Sequence, residues 1–175
     1  MTSKRRDPYQ TVIDRFNQSG IHYVVIGMAG INYYAWNASE IFGTMDYDIF
    51  LRPTLANVQK AIQLLENLGF SLGTARGQLQ PSDIKRIVRS LETLVATNTD
   101  GIMLELLLKV SGYPFPELEK DAAIFSVGGI PVKVGRLKKL LQSKRAADRP
   151  KDRVFLKRYR MLLKEILDKE DKKRD

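Results

Sequence analysis

The chain has 175 residues, 43% of them apolar, with no cysteine and a single histidine, which points to one compact domain and excludes disulfides, thiolate zinc sites and cysteine nucleophiles. No stretch reaches the roughly 18 apolar residues needed to span a bilayer, and the polar start, with Arg5, Arg6 and Asp7, lacks the apolar segment of a signal peptide, so a soluble cytoplasmic protein is expected. The net charge of +9 is uneven: residues 1–135 carry 13 Lys/Arg against 13 Asp/Glu, whereas residues 136–175 carry 16 against 7, a basic end suited to RNA or to a triphosphate.

Taken in chain order, Pro8 to Ser19 places Val12, Ile13 and Phe16 at helical spacing before Gly20. His22 to Gly27 is a β-branched run meeting glycine, a buried strand that turns. Gly30 to Asn37 predicts a second helix, whose Tyr33, Tyr34 and Trp36 are expected in the core; His22 has no second imidazole to work with and is expected to be structural, and Glu40 lies in a loop. Tyr47 to Leu51 alternates as a strand with one wet face, and Leu55, Val58, Ile62, Leu65 and Leu68 mark a helix ending at Gly69. Residues 70–81 predict a loop with at most a short strand; Ile84 to Thr97 fits helix or strand; Gly101 to Val110 predicts a central strand carrying Glu105; Ser111 to Lys120 predicts irregular chain. Ala123 to Val127 and Ile130 to Val134 flank Gly128-Gly129 as a hairpin. Helices from Arg136 to Ala147 and from Lys151 to Lys169 follow, with a frayed charged tail. The order predicts an α+β (mixed α/β) domain over residues 1–168, a mixed sheet with helices on one side, and a tail over residues 169–175.

Residues two apart in a strand project from one face, so Asp46 and Asp48 set two carboxylates side by side, and a third acid from an adjacent strand, Glu105, completes a cluster that calls for a cation. Hard oxygen ligands of this kind suit Mg²⁺ or Mn²⁺ bridging to phosphates. Small residues at the Gly27-Met28-Ala29-Gly30 turn allow phosphate to approach the backbone, or serve only tight helix-on-sheet packing.

Gly27 to Gly30 followed by Thr44-Met45-Asp46-Tyr47-Asp48 resembles the glycine turn and D-x-D element of the DNA polymerase β-like nucleotidyltransferase superfamily, with AbiEii-type toxins and small bacterial nucleotidyltransferases as the nearest group. Gly101 to Phe115 resembles that group's third-acid strand, with Glu105 in the acid's place, and Lys144 to Asp152 resembles its basic helix motif. Three positions differ from the pattern: Met28 stands where Gly or Ser is usual, Phe42 where an Arg is frequent, and Glu105 where Asp is commoner. The resemblance implies a nucleotidyltransferase fold and transfer of a nucleoside monophosphate from a nucleoside triphosphate such as ATP to an RNA (tRNA) or protein hydroxyl, with a toxin–antitoxin setting. It also implies that Asp46, Asp48 and Glu105 are catalytic metal ligands, and that Gly27, Met28, Thr44, Lys144, Arg149 and Lys151 contact the nucleotide. Two other readings stay open: a catalytically degenerate module that binds RNA or a partner chain, and an antitoxin-like interaction protein.

Overall fold

The computed structural model describes residues 7–37, 40–43 and 46–174. Helix α1 (Pro8–Gln18) starts on a proline that needs no N–H there, and the Asp7 side chain accepts from the Tyr9 N–H at 2.9 Å. Strand β1 (Tyr23–Ile26) leads directly into α2 (Gly27–Asn32), which therefore opens three residues earlier than the sequence predicts and is shorter. Helix α3 (Leu55–Asn67), capped by Thr54, matches its periodicity, whereas strand β2 (Tyr47–Leu51) forms where predicted but without the wet face expected, since Asp48 alone along it is partly exposed.

Residues 70–81 hold more structure than their composition indicates: β3 (Ser71–Thr74) and β4 (Gly77–Gln78) form a hairpin whose second strand is too short to leave a periodic signature. The ambiguous stretch resolves into α4 (Ile84–Ser90) and β5 (Leu94–Thr97), separated by Leu91 in a left-handed conformation, φ +53°. Strand β6 (Met103–Leu107) follows, and Phe115–Glu119, expected to be irregular, is the short helix α5. The hairpin β7 (Ala123–Val127) and β8 (Ile130–Val134) turns at Gly128-Gly129. Helix α6 (Leu137–Ala147) precedes two helices where one was predicted, α7 (Pro150–Arg158) and α8 (Arg160–Arg174), and the charged end is helical through Arg174.

The eight strands form one mixed sheet in the order β4-β3-β5-β6-β2-β1-β8-β7. Strand β1 runs antiparallel to β2 and parallel to β8, and β2 runs parallel to β6. Helices cover both faces, a correction to the one-sided arrangement expected. Tyr23 packs on Phe16 of α1 and Tyr47 stacks on Tyr9 of α1, with ring centroids 5.9 and 4.6 Å apart. The alternate residues point the other way: Phe50 meets Phe115 of α5 at 5.2 Å, and Val24 lies beside Leu140 of α6, where Gly135 leaves room for both. All four residues of β1 are accordingly buried. Gly30 serves this packing, since a β-carbon there would stand 3.1 Å from both the Val25 carbonyl and Leu140. Among the described residues, no helix is long and apolar enough to cross a membrane.

The far end of the sheet is stitched by one side chain. Buried Asn57 accepts from the His22 N–H at 2.9 Å and donates to the His22 and Arg52 carbonyls at 2.9 and 3.1 Å. The His22 Nδ1 lies 3.0 Å from Glu119, which Arg52 also grips at 2.9 Å. Asn57→Ala strands the His22 N–H and takes one of two donors from the His22 and Arg52 carbonyls, which keep the Arg52 and Thr54 N–H, and is expected to lower the unfolding free energy by about 1–3 kcal/mol in urea titration; a change below about 0.5 kcal/mol would show that water satisfies the freed donor.

Candidate active site

Strands β2 and β6 run parallel with Asp48 opposite Glu105, so the two carboxylates project from the same face of the sheet. It is the face that carries Val24 and Phe50, toward α5 and α6. Asp46 lies one residue before β2 begins, exposed at the sheet end rather than within the strand. All three acids line one cavity of roughly 480 Å³, together with Gly27 and Met28 at the start of α2.

Asp48 is the focus of strain in this wall. Its Oδ1 is buried and has no hydrogen-bond partner among the described residues. Burial, then the neighbouring charges of Glu105 and Asp46, push its carboxyl up to about 7, with Lys144 opposing them from across the cavity. Gly27 accounts for its own identity here. It sits at φ +65°, and a β-carbon at that position would run into the Asp48 carboxylate. Tight helix-on-sheet packing, the plainer explanation for this turn, belongs to Gly30.

The opposite wall is cationic. Lys144, Arg149 and Lys151 all line the same cavity. Lys144 stands in the last turn of α6; Asp148, at φ +47°, ends that helix, and Pro150 restarts the chain as α7. The reversal folds two charges around Asp152, whose side chain is 1% exposed. Arg149 donates from Nε to Asp152 at 2.7 Å and from its second guanidinium nitrogen at 3.1 Å, and Lys144 Nζ lies 3.6 Å away. Burial works against the charge on Asp152, but the Arg149 hydrogen bond and the Lys144 charge outweigh it and hold the carboxyl below its usual range. Burial pulls the Lys144 amine down, and Asp152 partly restores it. The Arg149 guanidinium is pushed up, chiefly by the Asp152 hydrogen bond, with smaller contributions from Asp48 and Glu105.

Asp152 was not singled out from the sequence. The available signal was Arg149-Pro150-Lys151-Asp152, with proline at the first helical position and an acid at the third, where it closes a cap on its own N-terminus. Phe42, one of the three departures from the family pattern, has a packing role: its ring meets Phe155 and Tyr159 edge-on at 5.0 and 4.7 Å. Glu40 is buried, accepts from the Trp36 N–H at 2.7 Å and pairs with Lys169 at 3.2 Å. Of the aromatics expected in the core, Tyr34 is buried and Tyr33 half-buried, but Trp36 is 53% exposed, its ring faced by Lys169 and Lys173 at 5.4 and 4.4 Å. Thr44 lies outside the described residues.

Among the described residues, no three acidic or histidine side chains already close a cage around a metal position. The donor types nonetheless suit a hard divalent cation, because the three carboxylates border one cavity with neither imidazole nor thiolate among its described lining residues, and one buried oxygen lacks a partner among the described residues.

The sequence matches no family model, and no curated protein matches it. The fold, in contrast, is shared. The chain superimposes on the lincosamide antibiotic adenylyltransferase LnuA, solved with lincomycin bound, at a TM-score of 0.56 and 16% identity, over 91% of this chain and 98% of that one. Weaker likenesses are an antigenic nucleotidyltransferase-like protein from Paracoccidioides brasiliensis (TM-score 0.47, 14% identity, 77% of this chain and 62% of that one) and the Megavirus polyadenylate synthase (0.44, 14%, 91% and 33%). The chain therefore has a nucleotidyltransferase fold, as its motif order predicts.

Proposed function

We propose that the protein is a metal-dependent nucleotidyltransferase that moves a nucleoside monophosphate from a nucleoside triphosphate to a hydroxyl on an RNA end or a protein side chain. The observation that carries this reading is the buried Asp48 oxygen, without a partner among the described residues, in an acidic wall that shares one cavity with Lys109, Lys144, Arg149 and Lys151. Asp46, Asp48 and Glu105 would hold Mg²⁺ or Mn²⁺, which supplies charge neutralisation for the triphosphate. Gly27 and Met28 border the same cavity where α2 begins, and the bare Gly27 backbone makes room for the Asp48 carboxylate.

The acceptor hydroxyl oxygen attacks the α-phosphorus, the bond to the bridging oxygen of the β-phosphate breaks, and pyrophosphate leaves with that electron pair. Glu105 takes the hydroxyl proton. Lys144 and Arg149 stand where negative charge builds on the leaving pyrophosphate, and Asp152 is a positioning residue that fixes both before substrate arrives. Lys151, exposed at the cavity mouth, meets the outer phosphate. Work as the toxin of a toxin–antitoxin pair is part of the same reading and rests on the AbiEii-type motif order alone. A second reading, a degenerate module that binds RNA or a partner chain through the basic helices, is favoured by the open spacing of the acids among the described residues; retained RNA binding with no turnover of any nucleotide would select it.

Labelled nucleotide should be incorporated only with divalent metal, and Asp48→Asn should lower that rate by about 100-fold or more; incorporation that survives both changes would sink the reading. Asp152→Asn should weaken triphosphate use about 10-fold, mainly through KM, and cost roughly 2 kcal/mol of stability, because two cations lose the acceptor that orients them. Restored KM in Asp152→Glu would separate positioning from mere folding.

Asp48 also predicts a pH dependence. Its native carboxyl lies above the unfolded value, so between the ordinary carboxylate range and pH about 7 the folded state binds more protons than the unfolded one. Stability of the metal-free protein should then fall as pH rises through that window and level off above it. Asp48→Asn should flatten this fall, and millimolar Mg²⁺ should offset it in the wild type while releasing protons. A metal-free melting temperature that rises from pH 5 to 8 would contradict the buried, repelled carboxylate.

A further inference from the structure

A second cavity, of roughly 280 Å³, opens at the same end of the sheet but beside α1, between the starts of α1 and β2, the end of α2 and Val127. Asp46 lines both this cavity and the cleft described above. The position follows from the strand: Asp46 lies just before β2, at the rim where the two faces of the sheet meet, whereas Tyr47 turns to the α1 face and Asp48 to the other.

The lining is acidic and aromatic. Asp7 and Asp46 supply two carboxylates and Tyr9, Tyr33 and Tyr47 supply three rings, and among the described lining residues there is no lysine or arginine. The rings are held in place: Tyr9 stacks on Tyr47, the Tyr33 and Tyr47 hydroxyls are 2.6 Å apart, and Tyr33 packs against Phe125 at 5.7 Å. Asn32 belongs to the scaffold, since its amide both donates to and accepts from the Phe42 backbone at 2.8 Å. Asp7 is fixed as the cap of α1, with its charge in electrostatic reach of all three tyrosines. Carboxylates set among tyrosines attract cations and repel phosphate. The volume suits one side chain or one sugar ring, whereas the main cleft offers phosphate the four cations Lys109, Lys144, Arg149 and Lys151.

We propose that this cavity is the acceptor subsite of the transferase, and that it takes a protonated amine or guanidinium group carried a few bonds from the hydroxyl that receives the nucleotidyl group. The proposal rests on the reading of the main cleft as a nucleotidyl-transfer site. It places the acceptor's cation against Asp7 and the tyrosines and its hydroxyl at the Asp46 rim, beside the triphosphate. Such a group can come from a lysine or arginine near a hydroxyl in a polypeptide, or from a small aminated sugar; an RNA end would set its phosphates against Asp7 and Asp46.

The test uses the full chain with Mg²⁺ and a non-hydrolysable ATP analogue, following tyrosine ring carbons by NMR. The probes are acetyl-Ser-Lys amide and its norleucine counterpart, glucosamine and glucose, and a short single-stranded RNA. The cationic probes should bind about ten-fold more tightly than their neutral counterparts, with shifts concentrated on Tyr9 and Tyr33. Asp7→Asn, which keeps the helix cap but removes the charge, should shrink that preference about three-fold and leave affinity for the ATP analogue unchanged. Tighter binding of the lysine peptide than of glucosamine assigns a polypeptide source, and the reverse assigns a sugar; either supports the proposal. Equal binding of the neutral counterparts, or RNA that displaces the lysine peptide from Tyr9 and Tyr33, would overturn it. Binding of the ATP analogue without any cationic probe would overturn the acceptor subsite and leave the transfer reading standing; cationic binding without the ATP analogue would bring down the transfer reading and the acceptor role with it.

Discussion

Two carboxylates stand next to each other in a parallel ladder, Asp48 on β2 and Glu105 on β6, and one oxygen of the first is buried without a hydrogen-bond partner among the described residues. An arrangement of this kind costs stability unless charge of the other sign is close by, because the charged form is both desolvated and repelled. Much of the local architecture answers that cost. Gly27 gives up a side chain so that the Asp48 carboxylate has space, and the chain reversal between α6 and α7 brings Lys144 and Arg149 to the far side of the same cavity.

The cations have a matching requirement of their own. Lys144 is largely buried, at 13% exposure, which works against its charge; Asp152 offsets that burial while also holding Arg149. Acid and base walls are then tied by apolar contacts. Phe42, a few residues before Asp46, packs on Phe155 and Tyr159 of the α7 region, and Glu40 is held by Lys169 of α8. A loop that leads to the acids thus leans on the helices that present the cations, so the width of the cleft is set by packing rather than by charge alone.

The fold is shared with an adenylyltransferase at 16% identity, which illustrates how weakly a mixed sheet constrains the residues that build it. What such a fold supplies is placement: strand ends, a tight turn and a helix reversal that converge on one side. The chemistry resides in the side chains set at those points. In this chain the two cavities that meet at Asp46 have opposite electrostatic character, one lined by cations opposite the acids and the other by carboxylates and tyrosines. The two linings thus meet within a single sheet end.

Sequence by itself determined the elements with strong local signals, namely α1, β1, β2, α3, β6, the β7–β8 hairpin and α6, because periodicity, caps and turn glycines act between near neighbours in the chain. It also marked Asp46, Asp48, Glu105, Lys144, Arg149 and Lys151, whose residue types and order were distinctive enough to single out before any contact was known. Tertiary structure alone decided that helices cover both faces, that the β3–β4 hairpin occupies an apparent loop, that Asp152 is the buried partner of two cations, and that Tyr9, Tyr33 and Tyr47 meet beside Asp46. These depend on strand register and helix docking between distant segments, where a one-residue slip would send every side chain to the other face.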